Sequence, residues 1–377
     1  MFPSGTGAGT LPRTVFGGKA LSEPQSPRPF TQSGGTLAMI RVALVNLGLS
    51  MVTLSLWRFW GRTRVRRLLW GGVSAWGDPV EYTGTGKELF MGFLMVLVVI
   101  YLPLALGFGW AQTLTAAGDP RGPLVISLLY FVTILLVAAG LYRARRYQMS
   151  RTRWRGIRGG QTGSALGYAA RSLLVWLLLP LSLGWAWPWG EMMLARYRFN
   201  HTTFGDHPLS CDAHAGGLYG RFALVWLSGL GFLLIAGFAV WVAADAASIG
   251  QMDETVATGL VVVILLMVSV IVLALPWAWY RAGFYRRLAG GLSFQGARFA
   301  ADFRTARLIR LVVGNMLISL FSLGILRPWA ALRTFRYACS AIQVEGVPDF
   351  DAIHQNTETG PKAGEGLISV LDGAGEF

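Results

Sequence analysis

Apolar residues run through four segments of the chain, 89–110, 124–142, 222–244 and 259–280, and none of the four holds a formal charge. About 20 consecutive apolar residues are enough to cross a bilayer as a helix, so each segment is predicted to be a transmembrane helix. Pro103 and Pro276 interrupt two of them, which membrane helices tolerate. Three further apolar runs, 42–57, 172–190 and 311–326, are shorter or, with Pro180 and Gly184 in the second, broken. A soluble core helix explains one such segment but not four in one chain.

Basic residues decide how these segments are threaded. Of the 33 Lys and Arg, 26 fall in the stretches 58–88, 141–170, 191–221, 279–310 and 327–341. The loops 111–123 and 245–258 hold only Arg121 between them, and the second carries Asp245, Asp253 and Glu254. Cytoplasmic loops carry the excess of Lys and Arg, so the five basic stretches are placed in the cytoplasm and the two poor loops outside. The long segments then pair into two hairpins, 89–142 and 222–280. Each short run begins and ends on the cytoplasmic side, preceded by Arg41, Arg171 or Arg310. Such a run is expected to be re-entrant or interfacial; the alternative is seven full crossings with some basic loops outside.

The short runs are copies of one another. They align on Trp60, Trp189 and Trp329. Seven positions earlier stand Thr53, Ser182 and Ser322, then Leu54, Leu183 and Leu323, then Ser55, Gly184 and Gly324. Seven positions after the tryptophan come Arg67, Arg196 and Arg336; fourteen before it, Asn46 and Asn315 match while the middle copy has Val175. Each copy leads into a turn signal, Trp76-Gly77-Asp78-Pro79, Phe204-Gly205-Asp206-His207 or Glu345-Gly346-Val347-Pro348, of the kind a β-hairpin needs. A second kind of unit follows the long hairpins: Tyr142-Arg143-Ala144 matches Tyr280-Arg281-Ala282, and Trp154-Arg155-Gly156-Ile157-Arg158 matches Phe294-Gln295-Gly296-Ala297-Arg298. Ala170-Arg171 and Ala306-Arg307 extend that match. The predicted fold class is an all-α polytopic membrane protein with internal repeats: four long transmembrane helices, three short re-entrant or interfacial segments, and short cytoplasmic β-hairpins forming a small layer.

Composition agrees with this class. The chain of 377 residues is 53% hydrophobic and 14% charged, against about 25% charged for a soluble domain. Its net charge of +14 is what arginine-rich cytoplasmic loops beside anionic lipid produce, so nucleic acid is not the expected partner; anionic membrane lipid is. Residues 1–36 lack an apolar signal core, and residues 352–377 are weakly apolar and acidic. Both are expected to be disordered tails around a membrane domain at 37–351, with both termini cytoplasmic. Cys211 and Cys339 are far apart and indicate neither a disulfide framework nor a cysteine metal site.

At Arg58-Phe59-Trp60, Thr63-Arg64-Val65-Arg66-Arg67 and Glu81-Tyr82-Thr83-Gly84-Thr85-Gly86-Lys87-Glu88-Leu89 the sequence resembles the YjgN family, bacterial inner-membrane proteins built around a domain of unknown function. The resemblance spans about residues 37–354; Ser55, where the other two copies have Gly, departs from the pattern. It implies an inner-membrane, multi-pass protein, and no reaction or substrate.

Candidate chemistry is sparse. Gly84–Glu88 looks like a phosphate loop, but Glu81 stands at the first glycine position and Glu88 at the magnesium-ligating hydroxyl of that motif, so a turn entering the helix is preferred. His201, His207, Cys211 and His214 lie close in sequence with Asp206 and Asp212, in no common zinc spacing; a solvated hairpin is preferred, and no metal or other cofactor is expected. The strongest feature is arginine. Arg62, Arg64, Arg67, Arg143, Arg146, Arg153, Arg155, Arg196, Arg286 and Arg336 are candidates for binding an anion or lipid headgroup, since guanidinium pairs bidentately with phosphate and carboxylate, against the plainer reading that they only set topology. Trp60, Trp189 and Trp329 are expected as interfacial anchors. Asn46, Thr53, Ser182, Asn315 and Ser322 are candidates for lining a solute path, against simple interhelical bonding. The long segments hold no Asp, Glu, His or Lys, and no catalytic constellation appears; an enzyme site built from Glu81, Glu88 and Glu191 is disfavoured. Repeats and broken apolar segments suggest transport or channel-like passage of an anionic solute or lipid. The rival is a non-transporting scaffold that holds anionic lipid and a protein partner.

Overall fold

Each short apolar run forms a helix that stops abruptly and turns back. The helices are α1 (Thr36–Val52), α6 (Ala165–Leu181) and α11 (Thr305–Phe321), each 17 residues long; a second helix returns from each, α2 (Arg58–Gly71), α7 (Trp187–Asn200) and α12 (Arg327–Ala341). The reversal is the same in all three. Leu54, Leu183 and Leu323 adopt left-handed backbone at φ of 50°, 49° and 50°, followed by Ser55, Gly184 and Gly324 at 68°, 88° and 81°. The N–H of that second residue donates back to Ser50, Leu179 or Ser319 at 2.7 Å, the Schellman closure of a helix end. Thr53, Ser182 and Ser322 brace it: each hydroxyl donates to the carbonyl four residues back and accepts an N–H four residues on, from Trp57, Ala186 and Leu326.

The computed structural model describes residues 29–248, 250 and 253–355. Within these, three helical stretches have the length and apolarity to cross a membrane: Gly86–Ala116, Arg121–Arg151 and Gly216–Ser248. The first is α3 (Gly86–Val96), a π turn at Leu97–Tyr101, and α4 (Leu102–Ala116). Pro103 explains the π turn, because it has no N–H to donate and its ring collides with the carbonyl four residues back. The second is α5 (Arg121–Arg151), and the third contains α8 (Tyr219–Ser248). The fourth expected segment, 259–280, is not one continuous helix: it divides at Leu273 into α9 (Glu254–Val272), itself 19 residues long, and α10 (Ala274–Gly290). Pro276 is again the cause, facing the carbonyl of Val272 and ending that helix.

The all-α expectation is also corrected. The described residues contain eleven strands in two antiparallel sheets, ordered β1 to β7 and β11-β10-β9-β8. They are β1 (Phe30–Gln32), β2 (Val73–Ala75), β3 (Asp78–Tyr82), β4 (Thr152–Trp154), β5 (Ile157–Gln161), β6 (Thr202–Phe204), β7 (His207–Pro208), β8 (Ser210–Cys211), β9 (Leu292–Phe294), β10 (Ala297–Ala301) and β11 (Ile342–Glu345). Their pairing reveals the repeat. Each helical hairpin is flanked by two strands that pair with each other: β1 with β2, β3 with β4, β5 with β6, β8 with β9 and β10 with β11. The chain is thus five strand–helix–helix–strand units, joined by tight turns. Trp76-Gly77, Arg155-Gly156 and Gln295-Gly296 are all at positive φ, the two-residue turn whose twist suits a hairpin.

The units close into a ring. α2 packs on α3, α5 on α6, α10 on α11, and α12 on α1. One apolar cluster joins the ends of the chain, with Met39 of α1, Val65 and Leu69 of α2, and Ala331 and Leu332 of α12. Within two of the short hairpins a small residue lets the helices approach. Gly61 faces the amide of Asn46, and Gly190 faces Val175; Ala330 takes the corresponding place opposite Asn315. The predicted tails overlap ordered structure: β1 lies within 1–36 because it supplies the first unit's outer strand, and Ile353 is buried although it falls after 351. Residues 1–28 and 356–377 lie outside the described residues.

Ser55 stands where the other two reversals have glycine, and a Cβ in left-handed backbone costs roughly 1–2 kcal/mol. Ser55→Gly is therefore expected to raise stability by about 1 kcal/mol, read as a higher melting temperature of the purified chain in detergent. An unchanged or lower value refutes the strain at this reversal.

Candidate functional site: the arginine and strand layer

The residues that carry the family resemblance form a tightly packed junction beside the first reversal. β3 ends at Tyr82; Gly84 then presents its carbonyl to Arg67 Nη2 at 2.9 Å. Thr85 caps α3, its hydroxyl accepting the N–H of Glu88. A side chain at Gly86 would meet Trp60 at 2.7 Å. Glu88 itself accepts from the Tyr147 hydroxyl and pairs with Arg151. The Glu81–Leu89 string is thus a strand end, a helix cap and an ion pair, and its glycines allow close packing.

Arg67 has a counterpart in the ring. Arg336, at the same repeat position, donates to the carbonyl of Gly34 and to Thr36 Oγ1. Each arginine ties one unit to the start of the next, and Arg336 ties the fifth to the first. The other candidate arginines do not converge on one pocket. Arg64 lies over the Trp57 ring at 4.9 Å. Arg155 pairs with Asp78 and stacks on Trp154 and Phe350. Arg286 donates to Ala282 O at 3.2 Å, and Arg196 lies near Cys211. Arg62 and Arg146 are part-buried on α2 and α5, Arg143 is exposed on α5, and Arg153 on β4 has a buried Nε without an acceptor. Together they populate the helix ends and strands on one side of the ring.

Two carboxylates are caged alike. Glu191 on α7 accepts from Tyr280 at 2.9 Å and pairs with Arg281 of α10, as Glu88 does with Tyr147 and Arg151. Both acids are thereby committed to joining helices of different elements. Glu81 lies on β3 opposite Arg153.

The residues considered for a solute path are likewise engaged. The hydroxyls of Thr53, Ser182 and Ser322 are used within their reversals. Asn46 donates to Gly61 O and accepts from the indole of Trp57, and Asn315 donates to Ala330 O and Thr334 while its buried Oδ1 has no partner. Of the tryptophans, Trp189 is 38% exposed, whereas Trp60 is packed between Trp57 and Phe90, and Trp329 lies beneath Arg333. His201 stacks on Tyr197, His207 bonds to Asp206, and Cys211 is buried in β8. Among the described residues no three His, Cys, Asp or Glu side chains gather closely enough to hold a metal ion.

Two features were not read from the sequence. The hairpin turns meet in an aromatic hub: Trp76 and Trp154 lie 5.9 Å apart, Trp154 and Phe204 5.5 Å, Phe204 and Phe294 6.4 Å. Phe350 plugs it, 5.0 Å from Trp76 and 4.9 Å from Trp154. The segment that follows crosses the turns as a strap, with Asp206 N–H donating to His354 O, His354 N–H to Asp206 Oδ1, and Arg158 N–H to Gln355 Oε1. The aromatic before each turn was the available signal. The second feature is a set of buried polar groups on α5, α7 and β5, including Arg198 Nε and Gln161 Oε1, that lack partners. Arg198 sits two residues beyond the repeat arginine Arg196. The other two copies have Leu69 and Ala338 at that place, so the repeat itself gave no signal for it.

These features define a class: a closed ring of five strand–helix–helix–strand units with, among the described residues, three helices long and apolar enough to cross a membrane, topped by an arginine-bearing strand layer. Residues 27–370 match the model of the family DUF898, described as bacterial protein of unknown function. The chain belongs to that family, which is the YjgN family. Neither the curated proteins nor the solved structures give a match.

Two measurements probe this layer. Burial pushes the thiols of Cys211 and Cys339 up from their ordinary range, so both are expected to react slowly with a disulfide reagent at pH 8 and promptly after denaturation; rapid reaction of the folded chain contradicts the burial. The His354 N–H holds the Asp206 carboxyl below its usual range. A depressed carboxylate favours docking of the strap above the ordinary carboxylate value of about 4, and that contribution is lost as pH falls through the depressed one. Asp206→Ala is expected to speed hydrogen exchange at His354 by about tenfold at pH 7, the size of one lost hydrogen bond; unchanged exchange counts against the strap.

Proposed function

We propose that the chain is a bacterial inner-membrane protein whose long hairpins cross the bilayer and whose three short hairpins enter from the cytoplasmic side and turn back inside it. The arginine and strand layer then lies against anionic headgroups. The observation that carries this reading is the residue at each apex. Left-handed backbone is the habit of Gly and Asn, and a reversal in water has every reason to use them. All three reversals place leucine there instead, with Leu54 88%, Leu183 74% and Leu323 89% exposed. Phe321 and Leu181 beside them are 83% and 81% exposed. Leucine in strained and uncovered positions is favourable where the surroundings are hydrocarbon.

Length supports the same picture. A helix of 17 residues rises about 25 Å, short of the roughly 30 Å hydrocarbon core, and its reversal bonds three of its last four carbonyls, which lowers the cost of exposed backbone at membrane depth. Of the two activities considered, holding anionic lipid on the arginine face is favoured over passage of an anionic solute. Apart from Asn315 Oδ1, the polar groups of Asn46, Thr53, Ser182, Asn315 and Ser322, which a conduit would need, are spent on reversals and helix contacts. The function assigned is that of a lipid-binding membrane scaffold.

Single cysteines in a background of Cys211→Ala and Cys339→Ala test the threading, with a membrane-impermeant maleimide applied to intact cells and inverted vesicles. Ala306→Cys, at the start of α11, and Val347→Cys, after β11, are expected to label from the cytoplasmic side, and Ala117→Cys, in the loop after α4, from the other. Leu323→Cys is expected to label from neither until detergent is added. Labelling of Leu323→Cys in sealed membranes, from either side, overturns re-entry.

A further inference from the structure

We propose that Arg145 and Arg198 bind a phosphate group between α5 and α7, with Gln161 of β5 as a third contact. The proposal rests on the reading of the arginine face and narrows it to one defined site. Arg145 lies on α5, its guanidinium 5.2 Å from the centre of the Phe199 ring of α7. It is close enough to Arg198, also on α7, for the two charges to repel, with Tyr142 and Tyr168 beside it. The Nε atoms of both arginines are buried and have no acceptor. Gln161 is 3% exposed, its side-chain oxygen has no hydrogen-bond partner, and its amide faces the Tyr142 hydroxyl. It lies next to Tyr142 and is paired across the strands with Thr202, whose hydroxyl donates to the Arg198 carbonyl.

Two like charges with buried, unmatched donors are costly, because a charge withdrawn from water needs a partner. The protein supplies none here. Glu88 is held by Tyr147 and Arg151, and Glu191 by Tyr280 and Arg281. No ion pair joins Arg145 or Arg198 to an acid among the described residues. Where Glu88 and Glu191 stand, an acid meets an arginine of another helix; at this junction two arginines meet without an acid. An anion from outside completes the arrangement. Guanidinium forks match phosphate oxygens in pairs, and the Gln161 amide adds a neutral donor suited to a third oxygen. The Tyr142 hydroxyl is not available, since it donates to Thr162 O.

The phosphate has two sources, a lipid headgroup or a soluble phosphate, and thermal unfolding of the purified full chain in uncharged detergent separates them. Melting is followed at constant ionic strength with inorganic phosphate, with short-chain phosphatidylglycerol, and with chloride as the reference. The parent chain is expected to be stabilised by at least one of the first two: inorganic phosphate identifies a soluble ligand, phosphatidylglycerol alone a headgroup. Arg145→Gln and Arg198→Gln are expected to melt no lower than the parent in chloride, because they relieve repulsion, and to weaken the apparent affinity tenfold or more. Arg121→Gln, exposed at the far end of the same helix, is expected to keep the parent response. If the parent responds and both variants respond equally, this site is wrong while the arginine face as a lipid surface stands. A parent that responds to neither ligand overturns both. Should either variant fail to fold, equilibrium dialysis of the parent against labelled phosphate and labelled phosphatidylglycerol decides: one saturable site per chain supports the proposal, and none refutes it.

Discussion

A helix too short to cross a bilayer must either stay at its surface or reverse with its last carbonyls covered, since exposed backbone groups in hydrocarbon cost several kcal/mol each. On the reading proposed above, the three short hairpins take the second course. In each, a left-handed leucine, a following small residue and one hydroxyl bond three of the last four carbonyls of the helix. Because the reversal returns the chain to the side it came from, both strands of a unit end up together and pair. The strand layer, the sequence of tight turns and the closure of the ring all follow from that return.

Closure then governs where charge is tolerated. Arg67 and Arg336 lie on backbone carbonyls at equivalent unit junctions, and Glu88 and Glu191 are each gripped by a tyrosine and an arginine from another helix. Arginine suits these places because its planar fork can donate several bonds while its stem and face rest on aromatic rings. Much of the basic excess is thus structural. The junction of α5 with α7, where the Nε atoms of Arg145 and Arg198 are buried without acceptors, is the exception.

The hub of turns adds a second level of organisation. Three of the turns place both residues at positive φ with glycine second, the fourth places Gly205 there as its first residue, and the aromatic at or just before each is carried to a common centre. Phe350 fills that centre and the strap hydrogen-bonds across it, so the segment after the last strand is joined to the turns that follow β2 and β4.

Hydrophobic run length and the spacing of tryptophan, hydroxyl, leucine and arginine determined the number of units, their order and the shortness of three of them, because these are properties of local sequence: run length sets reach, and a repeated offset sets a repeated fold. Turn glycines likewise located the hairpins. What the sequence did not determine was partnership. Asn46, Thr53, Ser182, Asn315 and Ser322 read as polar groups free to line a path, and their bonds to nearby backbone became visible only once the reversals were built. The division of the fourth long segment depended on how the chain meets Pro276, which a membrane helix can either absorb, as at Pro103, or break upon. Closure of α12 on α1, and the meeting of Arg145, Arg198 and Gln161, were decided by tertiary structure alone, because they bring together residues from different units whose separation along the chain carries no record of their contact.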